Sequence, residues 1–108
     1  MSEERGGRIT ILILGGYGVF GGRLAQLLAD RPNLDLVICG RDRARAEAFC
    51  AGYEGAARVC PLALDRADIV AALHEHRPDL VVDASGPFQD YGADRYRVVT
   101  ACIEARRK

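Results

Sequence analysis

The residues of this chain best suited to chemistry are the glycines of Gly15-Gly16-Tyr17-Gly18-Val19-Phe20-Gly21-Gly22. A glycine turn that opens a helix presents backbone N–H groups with no side chains in front of them. Together with the positive end of the helix, these donors form a receptor for a phosphate or diphosphate. The positions 15, 18 and 21 each have a reason. At the first the chain must turn sharply, at the second a side chain would block the approach of phosphate, and at the third a Cβ would push the helix off the strand. Read from Gly15 the spacing is G-x-x-G-x-x-G, a departure from the more familiar G-x-G-x-x-G, although Gly16 and Gly21 with Gly18 also satisfy that older spacing. A purely structural turn explains one or two glycines but not five across eight positions.

A second set of residues selects the ligand. The apolar stretch Leu34 to Cys39 runs into Gly40-Arg41-Asp42-Arg43-Ala44-Arg45. A site for NAD places a carboxylate roughly 20 residues past the glycine loop, where it accepts hydrogen bonds from the adenosine ribose. Here Gly40 and Arg41 stand at that point. A guanidinium grips a 2′-phosphate through a forked, charge-assisted pair, which a carboxylate would repel, so NADP(H) is expected in preference to NAD(H). Asp42 reads as the N-cap of the following helix, and a solvated helix start is the plainer role for at least one of the arginines.

The elements that position these groups follow from periodicity. Ile9 to Leu14 is apolar without alternation, as in a parallel strand covered on both faces. A helix over about Val19 to Ala29 is expected to bury Phe20, Leu24, Leu27 and Leu28, with Pro32 preventing continuation. Strand two is Leu34 to Cys39. A helix over about Arg43 to Tyr53 turns Ala44, Ala48 and Phe49 inward. Strand three, Arg58 to Leu62, contains Pro61, which cannot donate to a ladder and so belongs at a sheet edge. Asp65 caps a helix to about His76 with Ile69, Val70 and Leu73 inward. Strand four is Leu80 to Ala84, and a last helix from about Gly92 to Arg106 buries Val99, Cys102 and Ile103. Alternating strands and helices imply parallel pairing through right-handed crossovers. The fold class is therefore α/β, a Rossmann-type parallel sheet of order 3-2-1-4 with helices on both faces, half of a doubly wound fold.

Composition narrows the function classes. With 108 residues, 49% hydrophobic and 28% charged, the chain makes one domain over residues 9–108 behind a flexible terminus at 1–8. Fifteen basic and fifteen acidic residues cancel, so no field draws in nucleic acid or an anionic membrane surface. No apolar run approaches a bilayer span, and the charged start is unlike a signal peptide, so a cytoplasmic location is expected. Cys39, Cys50, Cys60 and Cys102 have no metal-ligand spacing and read as reduced core cysteines. His74 and His76, two apart on a helix, point in different directions and cannot share a metal.

Three segments together carry a family resemblance: the glycine loop, Gly40-Arg41-Asp42 with Arg45-Ala46-Glu47-Ala48, and Asp83-Ala84-Ser85-Gly86-Pro87-Phe88-Gln89. With the terminal Ala101-Cys102-Ile103-Glu104-Ala105, the chain resembles the NADP-binding domain of the saccharopine dehydrogenase-like family over nearly its whole length. The resemblance implies a Rossmann domain that carries NAD(P)(H) to a separate substrate domain, for hydride transfer at imine-type or related carbon centres. By position, Gly15, Gly16, Gly18 and Gly21 with Tyr17 and Val19 would surround the pyrophosphate. Arg41 would meet the adenosine ribose and its phosphate, and Asp65 would lie near the adenine. Ala84, Ser85 and Gly86 would border the nicotinamide ribose, with Pro87 and Phe88 shaping the pocket there. Plainer roles stay open: Asp65 as a helix cap, Ser85 as a turn residue, Phe88 as a cover for the core.

The resemblance also implies a further strand and a substrate domain beyond Ala105, so this chain is expected to bind cofactor without turning it over. No catalytic acid or base stands out. Tyr91 and Arg95 do not make the Tyr-x-x-x-Lys pair of short-chain dehydrogenases, which argues against that rival family. The alternative from another class is a non-enzymatic NAD(P) sensor or interaction module, in which the apolar edge of strand four recruits a second copy of the chain. A flavodoxin-type or response-regulator-like domain is disfavoured, because no acidic cluster follows strand one.

Overall fold

In a computed structural model of the chain, residues 8–84 and 97–106 are described. The elements run β1 (Ile9–Leu14), α1 (Val19–Leu27), β2 (Leu34–Gly40), α2 (Arg43–Ala51), β3 (Arg58–Ala63), a 3-10 turn (Arg66–Asp68), α3 (Ile69–His76), β4 (Leu80–Asp83) and α4 (Arg97–Arg106). The four strands form one sheet in the order β3-β2-β1-β4, and every neighbouring pair is parallel. This is the expected order, with Pro61 on the end strand β3 where its missing N–H costs no ladder bond.

The strand β1 lacks alternation because both of its faces are covered. Leu12 and Leu14 pack with Val37, Cys39, Ile69, Leu73, Val98 and Ala101 on the side of α3 and α4. Ile11 and Ile13 pack with Ala25, Leu36 and Ile38 on the other side, joined by Leu24 of α1, Leu28 just past its end and Phe49 of α2. Parallel strands with helices on both faces give the three layers of a doubly wound fold.

Several expected inward faces are corrected by the structure. Phe20 and Leu27 are 76% and 73% exposed, and α1 instead buries Gly21, Gly22 and Ala25, with Leu24 and Leu28 half-buried. The reason is distance: small residues let the helix backbone come close to the strand, so the large side chains are displaced to the flanks. On α2, Ala44 and Ala48 are exposed, Ala46 is fully buried and Phe49 is half-buried. On α3, Val70 is exposed and Ala72 takes its place. On α4, Val98 and Ala101 are buried while Ile103 is half exposed and Cys102 is only partly covered. The side chain of Val99, and residues 92–96, lie outside the described residues. Cys60 is exposed, because its side chain lies on the end strand β3.

The expected loose start also needs correction at Arg8. Its Nε donates to Asp35 Oδ2 at 3.1 Å, and Arg58 Nε donates to Asp35 Oδ1 at 3.0 Å. The Arg8 guanidinium is the main reason the Asp35 carboxyl titrates below its ordinary range; burial opposes the shift and Arg58 adds to it.

Candidate functional site at the carboxyl ends of the strands

Because all four strands are parallel, their carboxyl ends share one edge of the sheet. The segments that follow them, 15–18 after β1, 41–42 after β2, 64–65 after β3 and 84 after β4, therefore gather along that edge. The chain reverses direction across the sheet between β1 and β4, and ligands of open α/β folds bind in the crevice at such a switch point.

The glycine loop is pinned at its start. The amides of Gly15 and Gly16 both donate to the Cys39 carbonyl of β2, at 2.8 and 3.0 Å, and the Gly18 amide donates to the Gly15 carbonyl at 2.9 Å. Gly15 has φ of 72°, a left-handed conformation that disfavours a side chain and turns the strand abruptly into the loop. At Gly21 a Cβ would overlap the Gly15 carbonyl oxygen and would stand 2.8 Å from the Gly15 carbonyl carbon and 2.9 Å from Gly16 Cα. Gly21 thus holds the first turn of α1 directly against the turn at the end of β1. Gly16 is buried with Ile38 against it, whereas at Gly18 a Cβ would meet only the Gly15 oxygen, at 3.3 Å.

Among the described residues no acceptor meets the amides at the helix start. The first intrahelical bond of α1 runs from the Gly22 amide to the Gly18 carbonyl at 2.8 Å. The amides of Val19, Phe20 and Gly21 precede it and have no acceptor four residues back within the helix. The N-cap, Gly18, has no side chain to supply one. A cap with no side chain, beside a cradle that a Cβ would fill, fits the diphosphate of a dinucleotide.

Tyr17 lies elsewhere than its loop position suggests. Its side chain reaches across to the end of β2, where the ring lies over Gly40 and the hydroxyl accepts the Asp42 amide at 3.1 Å. The Arg45 guanidinium sits over the ring, 4.8 Å from its centroid. The backbone of Tyr17 belongs to the glycine loop, but its side chain belongs to the region following β2. Neither the tyrosine's reach nor the stacking of Arg45 on it has a signal in the residue spacing.

Asp42 caps α2 as expected, its Oδ1 accepting the Arg45 amide at 3.2 Å. Arg43 is engaged with Glu47, Nε to Oε2 at 2.9 Å. Arg41 is exposed at the end of β2 and makes no ion pair with a described residue. Asp65 stands just past β3, where its Oδ1 accepts the Ala67 amide at 3.1 Å and its carbonyl accepts the Asp68 amide at 2.8 Å. It therefore fills the capping role, at the 3-10 turn that leads into α3. Ala84 donates its amide to the Leu14 carbonyl at 2.9 Å and so continues the pairing of β4 with β1 toward the glycine loop. Ser85, Gly86, Pro87, Phe88, Tyr91 and Arg95 lie outside the described residues.

Among the described residues no cluster of histidine, cysteine or carboxylate side chains is placed to hold a metal, and no helix is long and apolar enough to cross a membrane. Burial pushes the Cys39 thiol up to about 12, with the neighbouring Cys60 adding to the shift, so Cys39 is a packing residue and not a nucleophile.

Comparison with known proteins agrees with this geometry. The family model of the saccharopine dehydrogenase NADP binding domain matches residues 11–108. No curated protein sequence shows a significant match. Among solved structures, a short chain dehydrogenase/reductase family protein is similar at 28% identity and a TM-score of 0.63, over 90% of this chain and 49% of that one. The PlmKR1 ketoreductase from the first module of phoslactomycin biosynthesis in Streptomyces sp. HK803 is similar at 25% identity and a TM-score of 0.51, over 74% of this chain and 22% of that one. The chain thus spans about half the length of the first of these structures and about a fifth of the second.

Proposed function

The chain belongs to the family of saccharopine dehydrogenase NADP-binding domains, with NADP as its cofactor, and from that premise we propose that it is the cofactor-carrying part of an oxidoreductase. The hydride would pass to or from an imine-type or related carbon centre. Bound NADP supplies the hydride acceptor or, when reduced, the donor; the residues of this chain bind and orient it.

In this reading the diphosphate rests on the loop from Gly15 to Gly21, including Gly16 and Gly18. The amides of Val19 and Phe20 face its oxygens, and the backbone of Tyr17 walls one side. Arg41 meets the 2′-phosphate on the adenosine ribose, with Asp65 beside the adenine. Ala84, with Ser85 and Gly86 after it, borders the nicotinamide ribose. No proton-transfer residue is assigned, and substrate orientation falls to groups outside this set.

The single observation that carries the reading is the glycine-capped start of α1, held against the β1 turn by Gly21 at the carboxyl edge of a parallel sheet. NADPH fluorescence titrated with the protein tests it. A saturable change is expected, and a flat response up to millimolar concentrations refutes it. NADH binding more tightly than NADPH would overturn the role given to Arg41.

A further inference from the structure

We propose that Arg45 is a second cation for the 2′-phosphate of the cofactor and that Tyr17 is the residue that positions it; this rests on the cofactor reading above. Three features of the β2 end support it. The Tyr17 ring lies over Gly40, where a Cβ would overlap the ring, so the phenol seats directly on the strand end. Its hydroxyl accepts the Asp42 amide at 3.1 Å, tying the glycine loop to the start of α2 and anchoring the far end of the ring, whose plane is held by its seat on Gly40. The Arg45 guanidinium then lies on that plane, 4.8 Å from the centroid, which draws it back toward the strand ends. A guanidinium can stack through its face while its N–H edge stays available for the oxygens of a phosphate.

The charges around this group are accounted for. Arg43 is turned to Glu47, and Asp42 Oδ1 accepts the amide of Arg45 itself as the cap of α2. Arg41 and Arg45 are then the cations near the β2 end that are not held by a carboxylate among the described residues. Two arginines from the segment that follows β2 suit a dianionic ester and add little for a ribose that carries only hydroxyls.

The test is calorimetric titration of NADPH and NADH into the 108-residue chain and its R45Q, Y17L and Y17F variants. Arg45 is exposed, so R45Q leaves the fold intact, and thermal melts check the tyrosine variants. R45Q is expected to weaken NADPH about tenfold, the loss of one charge-assisted contact, and to change NADH less than about threefold. Y17L should move the ratio in the same direction, and Y17F, which keeps the ring, should move it less. A parent that prefers NADPH and variants R45Q and Y17L that keep its NADPH-to-NADH ratio would overturn the inference while leaving the cofactor reading standing. So would an equal loss of both cofactors, or a parent without preference. A parent that binds neither cofactor would overturn the cofactor reading itself.

Discussion

Replacing Gly21 with alanine should damage both the fold and the cofactor site, by an amount that can be worked from the geometry. The added Cβ would overlap the Gly15 carbonyl oxygen and stand 2.8 Å from its carbon, so either the helix or the loop must yield by at least the difference from ordinary contact at 3.4 Å. Every atom it meets is backbone, and Gly15 and Gly16 are tied to Cys39, so no side chain can swing aside. Overpacking of this kind costs about 1–3 kcal/mol, and this site belongs at the upper end because nothing soft absorbs it. Alanine returns up to about 1 kcal/mol through its helix propensity. The net loss of about 1–2 kcal/mol corresponds to a fall in Tm of roughly 5–15 °C for a domain of this size. Gly22 is the control, since there a Cβ meets Cε1 of the Phe49 ring at 3.3 Å, a side chain that can give, and the propensity gain remains. Calorimetric melts and NADPH titrations of both variants read the contrast: Gly21→Ala is expected to lose stability and at least tenfold in affinity, and Gly22→Ala to keep both. A Gly21→Ala protein that melts within about 2 °C of the parent and binds NADPH equally would refute the close-approach argument.

Three further outcomes follow from other parts of the molecule. Asp35→Asn should lower the Tm at neutral pH by a few degrees, because Asp35 is held as a carboxylate by Arg8 and Arg58. A depressed carboxyl stabilises the fold above its unfolded pKa of about 3.9 and loses that contribution as pH falls toward the folded value, so parent and variant melts should converge in acid. Alkylation followed by mass spectrometry should modify exposed Cys60 first and buried Cys39 only on unfolding; labelling of native Cys39 at the rate of Cys60 would refute the placement. Among the described residues β4 is an end strand, with Leu80 half exposed, so we expect self-association through that edge at high concentration, and a strict monomer in sedimentation analysis would exclude it.

Much of the architecture was legible in local patterns. An apolar run without alternation at Ile9–Leu14 implied a strand covered on both faces, and Pro61 implied an edge; together they led to the order β3-β2-β1-β4. Asp42 as an N-cap was equally readable, since a cap satisfies amides only three residues away. The inward faces of the helices were less so. Periodicity assigned Phe20 and Leu27 to the core, yet α1 packs through Gly21, Gly22 and Ala25.

Sequence alone determined what depends on neighbours along the chain: the strand, the glycine turn, the helix start and the arginines that follow β2. Tertiary structure alone decided which helix face lies closest to the sheet, and that Tyr17 crosses from one loop to rest on Gly40 beneath Arg45. Those outcomes depend on how closely separate segments approach one another. That distance is set when the sheet and helices pack together, and spacing within a segment carries no record of it.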